Sequence, residues 1–220
     1  MKSILKKVLK KITHSFSSAE YWESRYQAGG NSGGGSYNEL ATYKANFINL
    51  FLTSRDIQSA IEFGCGDGNQ LSLINYKSYI GLDVSPASIQ LCLQKFSTDK
   101  TKGFFLYHPF AFHDNTCVFG SQLSLSLDVI YHLIEDKIYE KHMEHLFQSA
   151  TKYVLIYSSD YEHAQVNHER RREFTKWVTK HAPNWKLILK EENPYKNEID
   201  EELQSLCNFY VFEKINLPSS

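Results

Sequence analysis

The chain has 220 residues, 42% hydrophobic and 22% charged, with a net charge of −1. That length holds one globular domain with an ordinary core and leaves little room for two. The near-zero charge excludes the chain-wide basic field of a typical nucleic-acid binder, and no apolar run approaches the roughly 20 residues of a membrane-spanning helix. Cys65, Cys92, Cys117 and Cys207 form no C-x-x-C pair and no compact framework, so reduced thiols are expected. Lysines interrupt every short apolar stretch near the N-terminus, unlike a secretory leader. Together these predict a cytoplasmic protein.

Residues 2–12 place Ile4, Leu5, Val8, Leu9 and Ile12 on one helical face and five lysines on the other. This predicts a short basic amphipathic helix, which either packs its stripe on the domain or makes a weak contact with an anionic membrane surface. Gly29 to Ser36 hold five glycines in eight residues, a loop that is either a plain linker or a mobile lid. A helical pattern through Leu40, Tyr43, Phe47, Leu50 and Phe51 follows.

From residue 59 strands and helices alternate. Strands are predicted at 59–63, 78–84, 104–110, 123–130, 153–159, 185–190 and 208–215. A short helical piece is predicted at 70–75, and longer helices at 87–96, 137–150 and 168–181. Strands separated by helices imply right-handed crossovers and a seven-stranded, mainly parallel α/β sheet with helices on both faces. The last two strands are expected to run antiparallel. Residues 1–58 supply the basic helix, the glycine-rich loop and a covering helix. Residues 59–220 form the core of one compact domain.

The most informative stretch is Ile61-Glu-Phe-Gly-Cys-Gly-Asp-Gly-Asn69, a strand running into three glycines with a helix expected directly after it. Glycines allow a tight turn and a close ligand approach, and a helix N-terminus would offer free N–H donors. Asp83 ends the second strand, where a carboxylate can accept both hydroxyls of a ribose lying across the strand ends. Glu62 is a charge inside an apolar strand and needs a partner. Asp128 interrupts the fourth strand near its end and His132 follows one turn later, at the rim of the crevice. An imidazole there suits proton transfer near neutral pH. Beyond the fifth strand, His163, His168, Arg170 and Arg172 would form an anion-binding cluster for an acceptor if they converge. His132, His163 and His168 could together hold a metal, but the spacing alone is not diagnostic and no metal is assigned.

Glu62-Phe-Gly-Cys-Gly-Asp-Gly together with Tyr79-Ile-Gly-Leu-Asp-Val-Ser resembles the first two motifs of class I S-adenosylmethionine-dependent methyltransferases, which carry a Rossmann-like sheet. The wider pattern resembles a subgroup associated with bacterial surface-polysaccharide gene clusters. It comprises YW..RY..GG.SG.GSY, Ser-Leu-Asp-Val-Ile-Tyr-His-Leu, Ile-Tyr-Ser-Ser and His-x-Arg-Arg-Arg-Glu-Phe-Thr-x-Trp, and covers most of residues 20–195. Gln122 departs from it, where an acid is usual, as does Asn38, where glycine is usual. The resemblance implies S-adenosylmethionine as cofactor, held by Glu62, Gly64, Cys65, Gly66, Asp83 and Val84, with Tyr26 and Tyr37 at the rim of a closing lid. Asp128 is expected either to join His132 in proton transfer or to bond the cofactor's amino group. The acceptor implied is a sugar, sugar phosphate or capsule-related molecule, although a small metabolite fits too; the near-zero net charge argues against a nucleic acid. A scaffold that binds the cofactor without catalysis is the alternative. An NAD enzyme would carry Gly-x-Gly-x-x-Gly, absent here because residue 69 is Asn.

Overall fold

The computed structural model describes residues 16–198 and 204–215. The basic segment 2–12 lies outside them. Five parallel strands, β1 (Ala60–Phe63), β2 (Tyr79–Asp83), β3 (Lys102–Leu106), β4 (Ser121–Leu127) and β5 (Ala150–Ser158), meet an antiparallel pair, β8 (Trp185–Glu191) and β9 (Asn208–Lys214). The order across the sheet is β3-β2-β1-β4-β5-β9-β8, with β9 antiparallel to both β5 and β8. The seven-stranded, mainly parallel α/β sheet is as the sequence pattern implies.

Alternation along the strands divides the core. Leu123, Leu125, Leu127, Tyr153, Leu155 and Tyr157 enter one layer. Ile61, Phe63, Val154 and Ile156 enter the other. This is the period-two consequence of a pleated strand covered on both faces. Helix α2 (Asn38–Ser54) covers the first layer with Ile48, Phe51 and Leu52, and α4 (Asp136–Gln148) covers the second with Met143 and Leu146. The serines of β4 keep its second face thin. Ser126 and His142 of α4 meet there at 2.9 Å from Oγ to Nε2. Helix α1 (Ser18–Gln27) packs beside α3 (Pro86–Lys95) at the end of the sheet where β1 and β2 finish.

Two helical expectations fail. Only a single 3₁₀ turn, Leu71–Leu73, follows the glycine turn, so no α-helix N-terminus points at it. The chain goes extended at Ile74 to reach β2 instead. The helix predicted at 168–181 starts at Phe174, as α5 (Phe174–His181). The charged stretch before it folds into a hairpin of β6 (His163–Val166) and β7 (Glu169–Arg171). Val166 pairs with Glu169, leaving Asn167 and His168 as the two-residue turn, and Asn167 takes φ 54°. Asparagine is among the residues that tolerate this left-handed region, which two-residue hairpin turns favour. Asn38, where the resembled subgroup tends to carry glycine, likewise has φ 51°.

Candidate active site

β1 lies between β2 and β4, and the chain winds outward from β1 in both directions. The ends of β1 and β4 therefore part to form the crevice in which doubly wound sheets bind ligands. A cleft of about 320 Å³ opens there, lined by the glycine turn, Glu62, Asp83 and Val84 on one side and Asp128, Val129 and His132 on the other. Phe110, Leu133 and Ile138 add apolar wall.

Asp83 is buried at the end of β2. Its Oδ2 accepts the Gly66 N–H at 2.9 Å and its Oδ1 the Ser85 N–H at 2.9 Å. Burial pushes its carboxyl above the usual range, and these backbone donors oppose that push. A carboxylate oxygen can accept more than one hydrogen bond, and Asp83 lines the cleft. The turn admits no side chain at Gly66: its φ is 57°, and a Cβ would collide with Ser32 Oγ and crowd Tyr26 Oη at 3.1 Å. Glu62 is buried at the floor of the cleft and accepts from Tyr79 Oη at 2.6 Å. Burial raises its pKa to about 7 against the opposing pull of Tyr79 and Lys44.

The glycine-rich loop folds across this turn and is fastened to Asp67. Ser32 N–H and Tyr37 O–H both donate to Asp67 Oδ2, at 2.9 and 2.8 Å, while Asp67 N–H donates to Ser32 Oγ at 3.0 Å. Asn69 donates to the Ser36 carbonyl at 2.7 Å. Burial alone would raise the Asp67 carboxyl, yet it sits low, because Asn69 N–H, Ser32 N–H and the Tyr37 hydroxyl stabilise its charge. Tyr26 shares a hydrogen bond with Ser32, 3.0 Å between hydroxyl oxygens.

A second cleft of about 590 Å³ lies on the far side of the loop. Trp22, Ser32, Asp128 and His132 line both. At this junction Asp128 holds φ 58°, a strained conformation for a residue with a side chain and one that clusters at functional sites. Its carboxylate pairs with Lys44, whose side chain is 0% exposed, and accepts from Tyr131 Oη at 3.1 Å. Gly35 of the loop covers it so closely that a Cβ there would stand 2.9 Å from Oδ2. His132 sits edge-on to Trp22 and parallel to His168, with ring centroids at 5.0 and 5.1 Å. Burial lowers its pKa to about 4, more than the His168 carbonyl and Asp128 raise it. The ring is therefore neutral at pH 7 and free to accept a proton, but it is a weaker base than the near-neutral imidazole expected from the sequence, because burial disfavours its charged form.

The structure brings the sequence-derived candidates together unevenly. Glu62, Gly64, Cys65, Gly66, Asp83, Val84, Tyr26, Asp128 and His132 all line the first cleft, and Tyr37 lines the second. Of the four acceptor candidates only His168 reaches a cleft. His163 is exposed on β6, its Nδ1 2.9 Å from the Ala164 carbonyl oxygen. Arg170 and Arg172 both pair with Asp136 and donate to the Ile134 carbonyl, and Arg172 donates also to Leu133. They pin the turn after β4 and do not converge into an anion site. In a hairpin the middle arginine faces the other way. Arg171 lines the second cleft, between the rings of Tyr131 and Tyr161 and paired with Glu169 at 2.8 Å.

Sequence reasoning also passed over Lys44, Asp67 and Gln70. Lys44 lies on the buried stripe of α2 with Leu40, Ala41, Ala45 and Ile48, and a lysine on such a stripe needs an anion. Gln70 is buried in the first cleft, its amide donating to the Ala41 carbonyl while Oε1 has no partner among the described residues.

No protein-family model matches the chain, and no curated protein matches it in sequence. Solved structures do match. N-methyltransferase NodS from Bradyrhizobium japonicum WM9, in complex with S-adenosyl-L-homocysteine, aligns over 90% of this chain and 99% of its own, with TM-score 0.64 and 13% identity. Magnesium protoporphyrin IX methyltransferase ChlM from Synechocystis PCC 6803, with bound SAM, aligns over 92% and 99%, with TM-score 0.62 and 10% identity. The methyltransferase domain of bacterial CtHen1-C aligns over 80% and 98%, with TM-score 0.61 and 20% identity. The chain has the fold of these methyltransferases.

Proposed function

We propose that the chain is an S-adenosylmethionine-dependent methyltransferase of the cytoplasm that O-methylates a small glycan-related acceptor: a sugar, a sugar phosphate or a capsule-related molecule. One observation carries the reading. At the switch point of the sheet, a glycine turn too tight for a side chain stands beside a buried carboxylate that lines the cleft. The cleft also fits the rest of the cofactor chemically. Val84, Phe110, Leu133 and Ile138 give an apolar wall for a flat base, and the orphaned Gln70 Oε1 gives an acceptor for an ammonium.

When bound, the cofactor supplies an electrophilic methyl group on a sulfonium sulfur. The chain's own residues orient, exclude water and take up a proton. In this reading Asp83 accepts from the ribose hydroxyls, and Glu62, Gly64, Cys65 and Gly66 hold the methionine end. Tyr26 and Tyr37 keep the loop down over the cleft. The acceptor enters through the second cleft, and its hydroxyl meets His132 and Asp128 at the junction. A neutral imidazole beside a carboxylate can take that proton as the new bond to carbon forms.

Isothermal titration of the full chain with S-adenosylhomocysteine and with NAD tests the reading. Binding of S-adenosylhomocysteine alone is expected. Binding of NAD instead, or of neither, overturns it.

A further inference from the structure

The geometry points to a divalent-cation site at the junction of the two clefts, built from His132, His168 and Glu169. The turn after β4 supplies the first ligand and the β6–β7 hairpin the other two. One donor atom of each lies within 4.8 Å of the others. All three line the second cleft, and His132 lines the first as well.

Three features fit ligation. First, His132 Nδ1 is 3.2 Å from the carbonyl oxygen of His168. A ring nitrogen facing a carbonyl carries its proton there, which leaves the Nε2 lone pair free, the arrangement that metal-bound imidazoles share. Second, Trp22 meets His132 edge-on and holds that ring in place, whereas Tyr21 stacks on His168 with centroids 4.6 Å apart at 15°, a contact that has to slide as the ligand turns. Third, the hairpin can close. Adjacent ligands on an octahedral ion at about 2.1 Å stand roughly 3 Å apart, so less than about 2 Å of contraction is needed. β6 is exposed along its whole length. His168 must turn from face-on to edge-on as it closes, because its ring is now within 11° of parallel to that of His132. Arg171 holds Glu169 Oε2, which leaves Oε1 for the ion.

Two imidazoles and one carboxylate select a borderline ion such as Zn²⁺, Mn²⁺, Fe²⁺ or Co²⁺ over Ca²⁺. Three protein ligands leave positions open, and here they face the second cleft. If that cleft holds the acceptor, as proposed above, the ion would bind acceptor oxygens directly and acidify a hydroxyl. It would then replace the proton-taking role of His132, whose Nε2 would be occupied. The site itself does not depend on that reading.

The test is titration of chelator-treated full-length protein with Co²⁺, followed by its visible absorption and by calorimetry. One equivalent is expected to bind. His168→Ala and Glu169→Gln should each weaken Co²⁺ binding by about tenfold or more, while His113→Ala, at an exposed histidine outside the cluster, should not. Both cluster positions are only half-buried on a hairpin, so the variants should melt with the wild type. Absent Co²⁺ binding, equal binding by the cluster variants, or an equal loss in His113→Ala would each overturn the site. A parallel titration with S-adenosylhomocysteine separates the two proposals, since a chain that takes S-adenosylhomocysteine but no Co²⁺ sinks only the cation site.

Discussion

The two clefts are made by different physics. The first is built from strand ends and backbone. Asp83 is fixed by two backbone N–H groups, Gly66 by the absence of room for a side chain, and Glu62 by the hydroxyl of a tyrosine on the adjacent strand. The second is assembled from the loop 29–37, the turn after β4, the exposed β6–β7 hairpin and the segment before β9, and rings resting on rings hold it together. A wall of that kind can change its side chains without disturbing the sheet. The first cleft is thus the part a shared cofactor would keep constant, and the second the part that can vary with the acceptor. Breaking one residue in each tests the division.

The largest effect is expected at the junction. His132→Ala should lower kcat by roughly 10²- to 10⁴-fold, the range for loss of a proton-transfer group, with S-adenosylhomocysteine affinity nearly intact. Loss of cofactor affinity instead would mean that His132 belongs to the first cleft alone, and the division between the clefts would fail there.

Glu62 probes the backbone-built side through pH. Its carboxyl is raised from 4.5 to about 7 by burial, so the folded state favours the neutral form. That preference contributes stability fully below the unfolded value, and the contribution disappears as pH rises through about 7. At about 1.4 kcal/mol per pH unit the loss between pH 4.5 and 7 amounts to about 3 kcal/mol. Glu62→Gln should remove this dependence and melt higher than the wild type at pH 8. Thermal unfolding of both proteins from pH 5 to 8 checks it, and parallel curves would show Glu62 ionised without cost in the native state.

Asp83→Ala should weaken S-adenosylhomocysteine binding by about 1.5–3 kcal/mol, the scale of hydrogen bonds to a charged group. Activity at saturating cofactor should fall much less. Unchanged affinity in calorimetry would remove Asp83 from the ribose.

How far the sequence could be read follows the same division. The strands, the switch point, Asp83 and the glycine turn are local signals: a run of apolar residues, a cluster of glycines, an acid at a strand end. Each was legible because neighbours in sequence decide it. The hairpin was not. Glu169-Arg-Arg-Arg-Glu reads as a charged helix start by composition, and only pairing across Asn167 and His168 makes it strands. That one change of period turns Arg171 toward the cleft and Arg170 and Arg172 away from it. Lys44 was concealed for a related reason. Its partner Asp128 lies 84 residues away, and nothing local to α2 announces it. The 3₁₀ turn after Gly68 replaced the expected helix because only a few residues separate it from β2.

The smallest expected effect concerns the loop that divides the two clefts. Asp67 takes three donors on two oxygens: Ser32 N–H and Tyr37 O–H on Oδ2, and Asn69 N–H on Oδ1. An amide has a single accepting oxygen. Asp67→Asn therefore satisfies either the loop or the turn, and its NH₂ group confronts the other donor. The turn's own bond is two residues away in sequence, whereas the loop's bonds span 30 and 35 residues, so the loop should be the part released. Losing part of a charge-assisted pair costs about 1–2 kcal/mol, which should speed amide exchange across residues 29–37 by about tenfold through local opening. Residues 60–66 should exchange as before. S-adenosylhomocysteine should slow exchange in the loop of the wild type and narrow the difference in the variant. If exchange in the loop is unchanged while cofactor affinity drops, Asp67 serves the first cleft directly and the loop is fastened by Asn69 and Tyr26 without it.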